Sequence, residues 1–73
     1  MLLETFKQFA KENGLQFSYT IDKQYDANRF IFINPETGAR FSYMIHTPEL
    51  QARKRNDIHE FIEFILGEAR KLI

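Results

Sequence analysis

Between Arg29 and His46 the chain reads RFIFI, NPETG and ARFSYMIH. Two runs rich in β-branched and aromatic residues flank a Pro/Gly loop, which is the signature of a β-hairpin. With Pro35-Glu36-Thr37-Gly38 as the loop, Pro35 supplies a φ of about −65° and Gly38 the left-handed position that closes the turn. Asn34 then sits opposite Ala39, Phe32 opposite Phe41, and Phe30 opposite Tyr43. Directly opposed residues share a face of the sheet. One face therefore carries Phe30, Phe32, Phe41, Tyr43 and Ile45, and this aromatic face is expected to be the core. The other carries Arg29, Ile31, Ile33, Arg40, Ser42, Met44 and His46. A slip of one residue exchanges the two sets, so the loop decides which residues meet water.

The segments on either side have to supply a cover for the aromatic face. Residues 2–13 place Leu2 or Leu3, Phe6, Phe9 and Ala10 at helical spacing, and Asn13-Gly14 is a stop signal with Gly14 suited to the left-handed cap. Leu15 is expected to fold back on Ala10 or Phe9 beyond that cap. From Leu15 to Ile21 apolar and polar residues alternate, with Leu15, Phe17, Tyr19 and Ile21 on the inner side of a half-buried strand. Asp22 to Asn28 is polar and turn-prone, and returns the chain antiparallel into the hairpin.

After His46, Thr47-Pro48-Glu49 resembles a helix start, with Thr47 as N-cap and Pro48 in the first turn. Asp57 and Glu60 have capping-box spacing and mark a second start. Residues 50–56 between them show little apolar periodicity. The expectation is one short turn after Thr47 and a main helix from about Asp57, with a continuous helix from Pro48 as the alternative. The main helix buries Ile58, Phe61, Ile62, Ile65, Ala69 and Leu72, and Phe64 and Leu66 widen its apolar stripe. Gly67 implies either a close backbone contact or fraying of the last six residues.

The result is one α+β domain over residues 1–73, ordered helix, three antiparallel strands, helix, with two helices on one face of the sheet. A chain of 73 residues buries only about 60% of its unfolded surface and is expected to be stable by about 4–11 kcal/mol. It has no Cys, so neither disulfides nor thiolate metal sites reinforce the core; eight Phe and three Tyr do so. Ten basic and ten acidic residues cancel, which argues against the strong positive field that non-specific nucleic-acid binding uses. With no signal-peptide pattern and no long apolar run, the chain reads as soluble, untargeted and cytoplasmic.

This order of elements resembles the double-stranded-RNA-binding domain over nearly the whole chain. Leu2-Leu3-Glu4, the aromatic Phe17-Ser18-Tyr19 and the basic Arg53-Lys54-Arg55 lie where that family has similar features. The resemblance implies an α-β-β-β-α fold. It also implies RNA contacts from Glu4, Gln8 and Lys11, from Lys23 to Asn28, and from Arg53 to Arg55. The family's Gly-Pro-x-His loop has no counterpart in Asp22 to Asn28, and the last helix here is acidic and Phe/Ile-rich. Small toxin nucleases share the order, but their catalytic His near the second strand has no counterpart around Asn28-Arg29. A shared fold does not carry function.

Few residues form a chemical constellation. His59-Glu60-x-x-Glu63 lacks the second His of the zinc helix and reads as an exposed helical pair, so no metal site is assigned. His46 has no Ser, Cys or clustered carboxylate near it in sequence, so no catalytic residue, cofactor or small-molecule substrate is assigned. The outer sheet face has an apolar centre of Ile31, Ile33 and Met44 within a polar rim that includes Arg40 and His46, the pattern of a protein interface. The surplus Phe64 and Leu66 edge of the last helix is a second candidate. The leading expectation is a non-enzymatic protein-binding module, with a homodimer and a small accessory or phage-type inhibitor protein as the forms it can take. The alternative is a duplex-RNA binder using Arg53, Lys54 and Arg55, with Lys23 and Lys11 as further phosphate contacts.

Overall fold

The computed structural model describes residues 2–73. Helix α1, Leu2–Glu12, buries Phe6 and Ala10, while Leu2, Leu3 and Phe9 pack against the core from its margin. It ends as its sequence dictates. Gly14 takes φ 69°, and the Leu15 amide donates to the Ala10 carbonyl at 2.9 Å. That bond turns Leu15 inward, where it is 7% exposed.

Strands β1 (Gln16–Asp22), β2 (Ala27–Ile33) and β3 (Arg40–His46) form an antiparallel sheet in the order β1-β2-β3. The hairpin has the register that its loop requires: Phe30 opposes Tyr43, Phe32 opposes Phe41 and Ile31 opposes Ser42. The Asn34 amide donates to the Ala39 carbonyl at 2.8 Å, and Gly38 closes the loop at φ 80°. Phe30 and Phe32 are fully buried and Ile31 and Ile33 are not, so the aromatic face is the core face. Its centre is Phe6, whose ring centroid lies 5.5 Å from that of Phe30 and 5.9 Å from those of Phe17 and Phe32. The near-perpendicular contacts with Phe30 and Phe32 are the edge-to-face packing that aromatic quadrupoles favour.

The first connection is tighter than its composition implies. β1 runs to Asp22 and β2 starts at Ala27, leaving a four-residue turn, Lys23 to Asp26, in which Asp26 takes φ 49°. Ile21 shares the inner face but is 57% exposed, contrary to expectation. It lies at the end of an edge strand, outside the core cluster.

Residues 47–56 are not a short turn. Helix α2, Thr47–Asn56, runs for ten residues, and Asp57 breaks it from α3, Ile58–Arg70. Its weak apolar periodicity follows from its position, since Leu50 is its one buried residue. The N-cap position is His46, not Thr47, and no side-chain cap bond forms there. Instead the Thr47 amide donates to the Asp26 carbonyl at 2.7 Å. Asp57 does stand at the N-cap of α3, yet makes no capping box; its carboxylate pairs with Arg53 at 3.0 Å. A Cβ at Gly67 would meet nothing within 4 Å, so no close contact there calls for a glycine, and the helix continues past it to Arg70.

All three helices contribute to one core with the aromatic sheet face: Leu50 from α2, and Phe61, Ile65, Leu66 and Ala69 from α3, join Phe6 and Ala10. The architecture is α+β in two layers, helices over an open three-stranded sheet.

Candidate functional site

The outer face of the sheet is left uncovered by that arrangement. Ile31 and Ile33 on β2 are half-buried by their sheet neighbours, and Met44 on β3 is 47% exposed. Around them stand Arg29, Arg40, Ser42 and His46 with Gln16, Ser18 and Thr20 of β1, all exposed. The register places Gln16 beside Ile33, Ser18 beside Ile31 and Thr20 beside Arg29, so the apolar centre has a hydroxyl and amide margin along β1. On the other side Arg29 Nη2 approaches Met44 Sδ at 3.6 Å. His46 Nδ1 donates to the Tyr25 carbonyl at 3.1 Å, because a carbonyl oxygen only accepts. This bond ties the edge of the face to the β1–β2 turn.

The second candidate divides. Phe64 is 46% exposed and meets Tyr43 edge-on at 5.3 Å between ring centroids. Leu66 is 8% exposed and belongs to the core, which removes it from the predicted interface. Phe9 and Leu66 line a shared recess between α1 and α3, so packing of α1 supplies the cover that the sequence pattern of α3 alone does not reveal.

Arg53, Lys54 and Arg55 come together in the last turn of α2. Arg53 is held by Asp57, and Lys54 and Arg55 are exposed. Lys54 borders the first turn of α1, where Leu2, Leu3 and Glu4 lie, whereas Lys11 is two turns further along α1 and Lys23 is in the β1–β2 turn. His59 and Glu63 are exposed, one turn apart on α3, and among the described residues no group of three ligating side chains gathers.

Two features have no sequence signal. Asn28 is buried at 5% on the inner sheet face, where the alternation puts apolar residues. Its Oδ1 accepts from the Tyr19 hydroxyl, while its Nδ2 donates to Thr47 Oγ1 at 3.1 Å and to the Ile45 carbonyl at 3.4 Å. The amide thus joins β1, β2, β3 and the start of α2. An apolar cleft of about 500 Å³ lies between the first turn of α1, Leu50, Ile58 and Tyr19, with Glu4 and Lys54 among its lining residues. It assembles residues from Leu2 to Ile58, most of the length of the chain.

Among the described residues no helix is long and apolar enough to cross a membrane. Comparison with known proteins gives no match, whether to a protein-family model, a curated protein or a solved structure. The likeness to the double-stranded-RNA-binding domain is one of element order.

Proposed function

We propose that this chain is a non-enzymatic, cytoplasmic protein-binding module that holds its partner against the outer face of its sheet. One observation carries this reading: the helices gather on the aromatic face and leave Ile31, Ile33 and Met44 uncovered at the middle of a polar surround. An apolar centre with a polar rim excludes water from the contact and orients the partner through hydrogen bonds. Aliphatic side chains provide no stacking platform for nucleobases, which favours a protein over a single-stranded nucleic acid. An accessory or inhibitory role suits a domain of this size.

The test is substitution of the centre. Ile31→Asp and Ile33→Asp are expected to abolish association while leaving the circular dichroism spectrum and melting cooperativity intact, because both residues lie outside the core. Lys7→Glu on the exposed side of α1 serves as the control. Association indifferent to both aspartates rejects the sheet face as the contact.

A second reading, a duplex-RNA binder akin to the family whose element order it shares, draws on Arg53, Lys54 and Arg55 in one helical turn. It requires binding that weakens steeply with salt and disappears when all three become Glu. Duplex RNA retained by the triple variant eliminates it.

A further inference from the structure

Neutrality of the whole chain conceals two faces of opposite charge. On the outer sheet face the exposed charged residues around Ile31, Ile33 and Met44 are Arg29 and Arg40. The one acid on that side, Asp22, is turned into the β1–β2 connection, where its Oδ1 accepts from the Gln24 amide at 3.0 Å. On α3, Glu60, Glu63, Phe64 and Gly67 recur at the spacing that puts residues on one helical face. Glu60 and Glu63 are exposed and Phe64 is 46% exposed. The nearby cations are otherwise engaged. Arg53, bordering Glu60 and Phe64, pairs with Asp57; Arg70 lies over the Phe9 ring at 5.7 Å; Lys71 pairs with Glu68 at 3.1 Å. The opposite side of α3, with Phe61, Ile65 and Ala69, is buried, so Glu60 and Glu63 face water, while Phe64 at the flank keeps its edge-on contact with Tyr43 of β3 and leaves the rest of its ring exposed.

We propose that the partner of the sheet face is a second copy of this chain, which seats the Glu60–Glu63–Phe64 ridge of its α3 over Ile31, Ile33 and Met44, between Arg29 and Arg40. This rests on the sheet-face reading above and names the occupant. Charge decides between the ways two copies can meet. Sheet face on sheet face opposes arginines to arginines, and ridge on ridge opposes glutamates to glutamates, whereas ridge on sheet pairs unlike charges throughout. Dimensions agree as well. The thirteen residues of α3 span about 20 Å and the seven-residue strands about 23 Å. Gly67 adds no side chain beside Phe64 and has open space above it, which leaves the ridge free to approach closely.

Because the two patches lie on opposite sides of a two-layer molecule, the contact is heterologous. Each copy offers one ridge and one sheet, and association continues head to tail instead of closing at a dimer. Three strands present only about 300 Å² of flat surface, well under the ~800 Å² per partner of a stable complex. The stacking is therefore weak, concentration-dependent and favoured by low salt.

Sedimentation equilibrium of the purified chain at low salt, over concentrations reaching the millimolar range, tests this. The weight-average mass is expected to climb past that of a dimer without a plateau, and to fall as salt is raised. Arg29→Glu/Arg40→Glu, which spoils the sheet face, and Glu60→Lys/Glu63→Lys, which spoils the ridge, should each lower association at least tenfold. Mixed in equal amounts, the native sheet of the Glu60→Lys/Glu63→Lys chain meets the native ridge of the Arg29→Glu/Arg40→Glu chain, and its reversed ridge meets the other's reversed sheet, so the mixture should regain open-ended association in alternating order. A wild-type chain that stays monomeric, a plateau at the dimer, or a mixture no larger than its components overturns the proposal. If Ile31→Asp abolishes association but Glu60→Lys/Glu63→Lys leaves it intact, the sheet face stands and only its occupant is wrong. If neither matters, the sheet-face reading itself falls.

Discussion

Replacing Gly67 by alanine should stabilise this protein, and the size of the gain follows from where the glycine sits. Gly67 is inside α3, three residues before its end, with ordinary helical backbone and nothing within 4 Å of the position a Cβ would take. Glycine in a helix interior costs about 0.8–1 kcal/mol relative to alanine, because the unfolded chain has more backbone freedom to lose. The added methyl group meets no neighbour, so no packing strain offsets this. In a domain of this size 1 kcal/mol moves the melting temperature by about 4–8 °C. Gly14 and Gly38 are the internal controls. Both also have open space around them, but at φ 69° and 80°. A left-handed backbone costs an L-residue about 1–2 kcal/mol, so Gly14→Ala and Gly38→Ala should each lose stability although they gain the same entropic term. Urea unfolding followed by circular dichroism reads all three as shifts of the midpoint at constant slope. A Gly67→Ala chain no more stable than wild type, or three glycines that respond alike, refutes the argument from backbone conformation.

Further expectations concern the core and its ties. Phe32→Ala should cost about 3–5 kcal/mol, a large fraction of the total stability, while its neighbour Ile31→Ala costs far less; equal losses in thermal melts would contradict the facing of β2. Asn28→Leu leaves the Tyr19 hydroxyl and Thr47 Oγ1 without their shared partner and should cost about 2–3 kcal/mol. Combined with Tyr19→Phe in a double-mutant cycle, it should show coupling, and strict additivity would count against the network. Asn34 Nδ2 donates to the Leu72 carbonyl at 2.7 Å, so Asn34→Ala should cost about 1 kcal/mol and speed amide exchange at Leu72 and Ile73, just beyond α3. Unchanged exchange at Leu72 and Ile73 would show that this bond does not hold the terminus.

What could be read from residue order alone was local or periodic. The Pro35–Gly38 loop dictates the hairpin register, and the register dictates that Phe30 and Phe32 face in while Ile31 and Ile33 face out. The Asn13-Gly14 cap and the alternation of β1 are equally local, resting on one residue's φ or on a period of two. The apolar centre of the outer face was legible for that reason. Tertiary structure decided whatever depends on which distant segment supplies a cover. Leu66 is buried because α1 lies beside it, and Ile21 is exposed at the end of an edge strand, outside the core cluster. Residues 47–56 form a helix despite weak amphipathicity, since their start is hydrogen-bonded to Asp26 and Asn28 and Leu50 alone enters the core. Asn28 and Asn34 find partners 19 and 38 residues away, pairings that no periodic pattern specifies. Periodicity assigns a side chain to a face of its own element, but whether that face is dry depends on the packing of the others.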